Sequence, residues 1–218
     1  MRGERTVLVT GGTKRIGKAI ADALRADGWR VITSSHRSDA GADIVADLAE
    51  PLGAAKLYSA CLRMLGGNPP DALVNNAALF VGDAAALEAV NFEAPRKLTT
   101  LMTGRETGRG AVVNILDCRV LGGMEPRDAY ERSKRELLEN TTKSAALFAD
   151  TIRVNAVAPG PVIAPEGVSE KAGEMPLGRP RLEDVARAVV FLLEATATTG
   201  CIIPVDGGQS LLWMGDSL

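Results

Sequence analysis

Short apolar segments alternate with longer amphipathic segments along the whole chain, and this alternation restricts the fold more than any other feature. It predicts strands over residues 6–10, 30–34, 42–48, 72–76, 111–117, 152–158 and 201–205. Helices are predicted over residues 16–26, 51–65, 84–102, 128–149 and 182–194. Alternation of this kind produces right-handed βαβ units. We therefore predict an α/β fold, a doubly wound parallel sheet flanked by helices, with residues 1–218 as one domain.

Composition excludes several classes of protein. Apolar residues make up 46% of the chain and charged residues 24%, which is typical of a globular protein, and the net charge of −2 suggests neither a nucleic acid nor a membrane as partner. The first residues lead directly into a strand, so no signal peptide is expected. Three widely separated cysteines favour reduced thiols and a cytoplasmic location. His36 is the only histidine, so a Ser-His-Asp hydrolase and a His-rich metal site are excluded, and no metal is expected.

Residues 10–17, Thr-Gly-Gly-Thr-Lys-Arg-Ile-Gly, join the first predicted strand to the first helix. Gly11 allows a tight turn, Gly17 allows the helix to pack closely on the strand, and the helix N-terminus attracts a pyrophosphate. Many strand-to-helix connections contain glycine for backbone reasons alone. Here the strand and the helix that a dinucleotide site requires flank the turn. We therefore predict that a dinucleotide cofactor binds to Gly11, Thr13, Lys14, Arg15, Ile16 and Gly17.

The end of the second predicted strand indicates which dinucleotide binds. An acidic residue there suits the ribose 2′-hydroxyl of NAD, whereas basic residues accommodate the 2′-phosphate of NADP. This chain has the segment Ser35-His36-Arg37-Ser38, and Lys14 and Arg15 lie in the facing turn. One arginine and two serines are ordinary on any surface loop. Because no carboxylate occupies the position and three cations converge, we predict NADP(H), with contacts to His36, Arg37 and Ser38.

Tyr130 and Lys134 lie four residues apart on a predicted helix, and Asp117 ends the strand before it. Positions i and i+4 share a helix face, so the phenol and the ammonium can point into one cleft. A cation beside a phenol is expected to lower the tyrosine pKa from about 10, which would make Tyr130 a proton donor near neutral pH. A tyrosine and a lysine at this spacing also occur on ordinary solvated helices. Together with the glycine turn, however, they indicate a nicotinamide oxidoreductase.

These motifs resemble those of the short-chain dehydrogenase/reductase family, whose fold is of the Rossmann type, and the resemblance covers nearly the whole chain. Besides the glycine turn and the Tyr130/Lys134 pair, it rests on the segments at residues 75–78, 91, 159–160 and 205–208. The resemblance implies that Tyr130 donates the proton, that Lys134 binds the nicotinamide ribose and lowers the tyrosine pKa, and that Asn91 holds a water in the proton relay.

The same resemblance implies the remaining cofactor contacts and an assembly. Asp47 and Leu48 would flank the adenine, while the segment Asn76, Ala77 and Ala78 would line the ribose on the adenosine side. Pro159, Gly160 and Val162 would border the nicotinamide. The family is typically tetrameric, so a homotetramer or a homodimer is expected, with residues 211–218 near a neighbouring subunit.

Some positions depart from the common family pattern. Arg15 replaces the usual middle glycine of the turn, Asp117 replaces the usual catalytic serine, and Phe80 follows the Asn-Asn-Ala segment. These departures are similar to the pteridine reductases and the bacterial dihydromonapterin reductases. That branch implies that Arg15 faces both cofactor phosphate and pterin, that Phe80 stacks on the pterin, and that Asp117 works with Tyr130. Alternatively, Phe80 is a core residue, Asp117 belongs to an altered or inactive member, and Arg15 serves only the 2′-phosphate.

Three functions therefore stay open after the sequence alone. The first is NADPH-dependent reduction of a dihydropterin, with Arg15, Phe80, Asp117 and Tyr130 as substrate contacts and with Asp117, Tyr130, Lys134 and Asn91 as catalytic residues. The second is reduction of a ketone or acyl substrate, in which Asp117 takes over the hydrogen bond of the serine. The third is a non-catalytic NADP(H)-binding sensor, which the intact Tyr130, Lys134 and Asn91 disfavour.

Overall fold

A computed structural model of the chain describes residues 4–105, 108–122, 125–163 and 175–214. These residues form one sheet of seven strands, and every neighbouring pair is parallel. The strands are β1 (Thr6–Thr10), β2 (Arg30–Ser35), β3 (Ile44–Val45), β4 (Ala72–Asn75), β5 (Gly110–Ile115), β6 (Ile152–Pro159) and β7 (Ile202–Val205). Their order in the sheet is β3-β2-β1-β4-β5-β6-β7. The predicted fold class, a doubly wound parallel sheet with flanking helices, is confirmed.

The strand order reverses next to β1, and this reversal positions the site. The chain winds outward from β1 through β2 to β3 and then returns to the other side of β1 as β4. In open parallel sheets, a crevice for ligands opens at the carboxyl ends of the two strands where the order reverses. Thr10 and Asn75, the last residues of β1 and β4, lie at this point.

Helices cover both faces of the sheet, so its strands are apolar on both sides. Val7 and Val9 of β1 belong to one core, whereas Leu8 belongs to the core on the opposite face. The helices are α1 (Arg15–Ala26), α2 (Gly53–Met64), α3 (Ala84–Glu88), α4 (Ala94–Leu101), α5 (Ala129–Leu147), α6 (Leu182–Glu194) and α7 (Gln209–Met214). The first face is covered by α1 and α6, and the second by α2, α4 and α5. In the described ranges, no helix is long and apolar enough to cross a membrane.

The predicted helix over residues 84–102 is interrupted by a π-helical turn. This turn spans Ala89–Glu93 between α3 and α4, and Pro95 occupies the second position of α4. Proline has no N–H, so it cannot donate to the carbonyl of residue 91 as a regular α-helix requires. The wider turn accommodates this loss, and turns of this kind are frequent at functional sites. Asn91 lies within the π-helical turn.

The third strand is shorter than predicted, and the last helix was not predicted. Strand β3 has two residues, because the Asp43 carboxylate takes the place of a ladder partner and accepts hydrogen bonds from Thr33 N (2.7 Å) and Thr33 Oγ1 (2.8 Å). Helix α7 follows a glycine-containing turn in which the buried Asp206 accepts hydrogen bonds from Gly208 N (2.9 Å) and Ser210 N (2.8 Å). Helix α7 is short and follows two glycines, so its residues show too little apolar periodicity for a helix to be predicted.

A chain of buried hydrogen bonds ties helix α5 to the middle of the sheet. Asn75 Nδ2 donates to Asn114 Oδ1 (2.8 Å), and Asn114 Nδ2 donates to Thr141 Oγ1 (2.9 Å). Thr141 Oγ1 in turn donates to the Leu137 carbonyl (2.7 Å) within α5. Buried polar groups are costly to leave unpaired, so this series of hydrogen bonds fixes the position of α5, the helix that carries Tyr130 and Lys134.

Thr141→Val is expected to lower the free energy of unfolding by about 1–3 kcal/mol, because it leaves the buried Asn114 amide without its acceptor. Urea denaturation measures this change. Thr142→Val is the matched control, since Thr142 is the exposed neighbour on the same helix and its replacement should change stability by less than about 0.5 kcal/mol. Equal effects of the two substitutions would show that the hydrogen-bond chain does not anchor α5.

Candidate active site

The glycine turn is locked to the end of β4 by side-chain hydrogen bonds. Thr10 Oγ1 accepts from the backbone N–H groups of Asn76 and Ala77, each at 2.9 Å. Asn76 Nδ2 donates to the carbonyls of Thr10 (2.9 Å) and Gly11 (3.1 Å). Gly11 has a φ of +62°, and a Cβ on Gly17 would overlap the Gly11 carbonyl oxygen. Both glycines are therefore required by the conformation of the backbone, for the tight turn and for the close approach of α1.

Arg15 has a φ of +51° and is the only described residue other than glycine with a positive φ. A side chain in this region of conformation costs on the order of 1 kcal/mol, and such strain is concentrated at functional sites. Arg15 is the first residue of α1, which has no acidic residue in its first turn and no side-chain cap at Lys14. Lys14 and Arg15 are both exposed. The open helix N-terminus and its two cations fit a dinucleotide pyrophosphate.

The segment after β2 contains one carboxylate that the sequence prediction did not consider. His36, Arg37 and Ser38 are exposed, and Gly12 N donates to the Ser34 carbonyl (3.3 Å), so the glycine turn lies beside the end of β2. Arg37 donates through Nε (2.9 Å) and Nη2 (2.5 Å) to Asp39, and this hydrogen bond lowers the pKa of Asp39. Exposed pairs of this kind are weak, so the Arg37 guanidinium can exchange Asp39 for a phosphate.

The other predicted cofactor contacts lie at or just after the carboxyl ends of β3, β4 and β6, on the edge of the sheet that carries the glycine turn, with one side chain as an exception. Asp47 and Ala78 are exposed, and Asn76, Ala77, Gly160 and Val162 are half-buried. Pro159 is buried at the end of β6, and a Cβ on Gly160 would come within 2.8 Å of Asp206 Cα. Leu48 is the exception, because its side chain is buried in the core under β2 and β3. A contact of Leu48 with an adenine would therefore involve its backbone.

Tyr130, Lys134 and Asp117 come together at the carboxyl end of β5. Helix α5 begins after Asp128, whose carboxylate caps it by accepting from Glu131 N (2.8 Å), and Tyr130 therefore lies in its first turn. Tyr130 Oη donates to Asp117 Oδ2 (3.1 Å). Lys134 Nζ is buried and donates to the Ile115 carbonyl (2.8 Å), its only hydrogen-bond acceptor in the described part of the chain. The remaining ammonium protons fit the hydroxyl groups of a ribose.

The prediction that Lys134 lowers the tyrosine pKa is wrong for the protein alone. Burial raises the pKa of Tyr130, and the adjacent Asp117 carboxylate raises it further, while Arg119 acts in the opposite direction. Lys134 Nζ lies 5.9 Å from the centre of the tyrosine ring and donates to the backbone instead of the phenol. Burial also lowers the pKa of Lys134 itself, from 10.5 to about 8. The spacing in the sequence indicated that Tyr130 and Lys134 lie close together, but it did not indicate that both side chains are removed from water.

Asn91 is fully buried, and its amide holds the loop that carries Phe80. Asn91 Oδ1 accepts from Leu79 N (2.8 Å), and Nδ2 donates to the Leu79 carbonyl (2.8 Å) and to Ser133 Oγ (3.1 Å). The side-chain amide therefore already has protein partners on both atoms. A role for Asn91 in holding a water stays a prediction.

Phe80 is 65% exposed, so its interpretation as a core residue is wrong. Its ring packs edge-on against Tyr130, with a centroid distance of 4.9 Å and an interplanar angle of 64°. Arg119, which the sequence analysis missed, lies against both rings, with its guanidinium carbon 5.4 Å from the Phe80 centroid and 4.9 Å from the Tyr130 centroid. Arg119 lies in a three-residue 3₁₀ helix, Cys118–Val120, which is too short for any periodicity to reveal it. The one available signal was its position two residues after Asp117.

The Asp117 carboxylate has no free acceptor position. Oδ1 accepts from Arg119 N (3.0 Å) and Arg119 Nε (3.1 Å), while Oδ2 accepts from Arg119 Nη2 (3.1 Å) and Tyr130 Oη (3.1 Å). A carboxylate offers about four acceptor sites, and all four are taken. A substrate N–H can therefore reach Asp117 only by displacing Arg119 or Tyr130.

The buried charge of Lys134 should make stability depend on pH. Below about pH 8 the ammonium is charged in both the folded protein and the unfolded chain. Between pH 8 and 10.5 the folded protein loses this proton, whereas the unfolded chain keeps it. Raising the pH through this window therefore stabilises the folded protein relative to Lys134→Met, by up to about 3 kcal/mol. Urea denaturation of both proteins at the two ends of the window measures this difference. Lys143→Met, at an exposed position of α5, is the control and should show no such gain.

Comparison with known proteins places these features in a family. A family model described as enoyl-(acyl carrier protein) reductase matches residues 70–210. The chain is 30% identical to pteridine reductase 1 of Leishmania tarentolae and 33% identical to a putative ketoacyl reductase 2 of the granaticin polyketide synthase of Streptomyces violaceoruber. Each alignment covers 94% of this chain and 96% of the relative.

The solved structures lead to the same family. FolM alternative dihydrofolate reductase 1 from Brucella canis, solved as a complex with NADP, superposes with a TM-score of 0.85 at 34% identity, covering 95% of this chain and 94% of that one. The resemblance that the sequence indicates, including its pteridine reductase branch, is confirmed by these relatives. In the ranges that the structure describes, no group of three or more His, Cys, Asp or Glu residues is arranged to hold a metal ion. The chain belongs to the short-chain dehydrogenase/reductase family of oxidoreductases.

Proposed function

We propose that this protein is an NADPH-dependent reductase of a dihydropterin-type substrate, with Tyr130 as the proton donor. The observation that carries the proposal is the hydrogen bond from Tyr130 to Asp117 beside the exposed ring of Phe80. Relatives named pteridine reductase and alternative dihydrofolate reductase share this fold at 30% and 34% identity. A flat heterocycle suits a site whose wall is an exposed aromatic ring.

NADP(H) is the proposed cofactor, because the residues around the crevice fit its charges. Lys14 and Arg15 lie at the open N-terminus of α1 and suit the pyrophosphate and the 2′-phosphate. Arg37 follows β2, whose end contacts the glycine turn through the hydrogen bond from Gly12 N to the Ser34 carbonyl. The solved relatives from Brucella canis and Brucella suis are complexes with NADP. When bound, NADPH supplies the hydride. Predicted contacts at Thr13, Ile16, His36, Ser38 and Asp47 complete the proposed site.

The protein's own residues supply the proton and the orientation. Tyr130 Oη is the proposed donor, and its proton passes to the substrate nitrogen or oxygen of the double bond that is reduced. Asp117 orients the phenol through the 3.1 Å hydrogen bond, and Lys134 holds the start of α5 to the end of β5 through its 2.8 Å hydrogen bond to the Ile115 carbonyl. Lys134 also holds ribose hydroxyls, for which its unused donors are suited.

A carbonyl reductase is the second candidate, and the saturation of Asp117 favours it. With all acceptor positions taken by Arg119 and Tyr130, Asp117 orients Tyr130 as a serine would and leaves no position for a pterin nitrogen. A putative ketoacyl reductase is also among the relatives. A non-catalytic sensor is disfavoured, because the proton donor and its partners are assembled.

We also propose a cytoplasmic protein that assembles as a homotetramer or homodimer. Leu211 and Leu212 of α7, which follows the edge strand β7 in the chain, are exposed, and this suits burial against a second copy. Residues 215–218, the end of the segment predicted to lie near a neighbouring subunit, are outside the residues that the structure describes. The net charge of −2 gives no reason to propose a nucleic acid or a membrane as partner.

The cofactor assignment predicts that NADPH binds at least about tenfold more tightly than NADH, because the 2′-phosphate forms charge-assisted hydrogen bonds with Lys14, Arg15 and Arg37. Arg37→Ala should remove much of this preference. Calorimetric titration with both cofactors measures it. Arg25→Ala is the matched control, since Arg25 is also an exposed arginine paired with an aspartate but lies at the far end of α1. Equal affinities of the parent protein for NADPH and NADH would refute the assignment.

The substrate is tested by following NADPH absorbance with dihydrobiopterin, dihydromonapterin, dihydrofolate, an acetoacetyl thioester and a diketone. The first three should be reduced faster than the others.

Tyr130→Phe should lower turnover by about 10²–10⁴ while NADPH still binds, because it removes only the proton donor. Asp117→Ser should lower pterin turnover more than diketone turnover. Phe80→Ala should raise the KM for the pterin, because a stacking contact of about 1 kcal/mol is lost. If Asp117→Ser and Phe80→Ala change pterin and diketone kinetics in the same proportion, the carbonyl reductase is the correct assignment.

A further inference from the structure

Arg119 is a charged side chain of the site to which the proposed function assigns no role in the reaction. Its guanidinium forms a two-pronged ion pair with Asp117 and a third contact to Glu131 Oε1 (3.3 Å). The side chain is mostly buried, at 23% exposure, and lies against the rings of Phe80 and Tyr130. The end of β5, helix α5 and the segment that carries Phe80 all contact Arg119 and hold it in one orientation.

The residues behind Arg119 fix that orientation. Glu131 is buried in the first turn of α5 and accepts from Arg127 N (2.9 Å) and from the Arg127 guanidinium (2.6 Å). The hydrogen bond from Arg127 lowers the pKa of Glu131, so Glu131 stays ionised and attracts Arg119 from the side opposite Asp117. Arg119 therefore lies between two carboxylates, and it lies closest to the one that contacts the phenol.

The replacement of serine by Asp117 creates an electrostatic difficulty for proton donation. When Tyr130 Oη gives its proton to the substrate, the phenolate that remains faces a carboxylate oxygen 3.1 Å away. Two anions at this distance repel strongly where water is excluded. A neutral serine would not cause this repulsion, so a chain with aspartate at this position needs a cation that contacts both groups.

We propose that Arg119 is a positioning residue of the reaction, which turns the Asp117 carboxylate toward Tyr130 and supplies the positive charge that the aspartate makes necessary. This inference rests on the proposed role of Tyr130 as proton donor. Arg119 acts through Asp117 and need not contact the substrate. This role of Arg119 also explains why all four acceptor sites of Asp117 are filled. Arg119 occupies three of them and so holds the carboxylate in the orientation in which the fourth accepts from Tyr130.

The other charged groups around the pair do not replace Arg119. Lys134 on α5 lies farther from the phenol ring, at 5.9 Å against 4.9 Å, and Arg127 contacts only Glu131 among these groups. The Cys118 thiol, which follows Asp117, and the Asp206 carboxylate, which interacts with that thiol, bring no positive charge. The direction of the Tyr130 pKa agrees, because burial and Asp117 raise it whereas Arg119 lowers it.

Steady-state kinetics on the best substrate of the panel test this role. Arg119→Met should lower kcat about tenfold or more with little change in the KM for NADPH, because a coupled charge network is lost but no cofactor contact. Arg119→Lys keeps the charge and should recover most of kcat. Asp117→Asn/Arg119→Met should be no slower than Asp117→Asn alone, since Arg119 has nothing to hold once the charge is gone. Arg132→Met, which removes an exposed cation of α5 outside this network, is the matched control and should keep kcat.

Other outcomes overturn the proposal. A parent-like kcat in Arg119→Met, or losses that multiply in the double variant, would mean that Arg119 does not act through Asp117. If Arg119→Met fails to fold, Arg119→Gln takes its place and is compared with Arg119→Lys. If no substrate of the panel is reduced, the proposed function fails, and nitrogen NMR of the arginine side chains decides about Arg119 separately. Its Nε–H should exchange slowly with water in the parent protein and rapidly in Asp117→Asn, and rapid exchange in the parent would refute the placement.

Discussion

The crevice depends on the hydrogen bonds that join the ends of β1 and β4, where the winding of the sheet reverses. The hydroxyl of Thr10 accepts two backbone N–H groups, and the amide of Asn76 spans the carbonyls of Thr10 and Gly11. Each of these groups would otherwise be an unpaired polar atom at a half-buried strand end. Because the bonds fix the glycine turn against β4, they also fix the start of α1 relative to β5, which Asp117 follows by two residues.

The arrangement of strands and helices could be predicted from the sequence because it follows from apolar periodicity, a local property. Helix α6, over Leu182–Glu194, was predicted at its observed bounds, and strand β1 was as well. Predictions were less accurate where a side chain competes with the backbone. Asp43 shortens β3, Pro95 accompanies the π-helical turn, and Asp206 caps a helix that has too few apolar residues to be predicted.

The residues of the site could be predicted from the sequence more accurately than their pKa values. Spacing placed Tyr130 and Lys134 on one face of α5 and Asp117 beside them, as the structure shows. The pKa of Tyr130 was predicted in the wrong direction, because it depends on burial and on the distance to each charge, and neither is written in the spacing. Arg119 was missed for the same reason, since only the fold brings it against Phe80, Tyr130 and Glu131.

The left-handed backbone at Arg15 has a consequence for the evolution of the turn. Glycine adopts this conformation without strain, so replacing the arginine by glycine would relax the fold locally. An arginine at such a position therefore represents a trade of stability against function, in which folding free energy is given up to keep a guanidinium at the start of α1. Drift toward greater stability would favour its loss. A lineage that retains arginine at this turn is thus under selection for what its side chain binds.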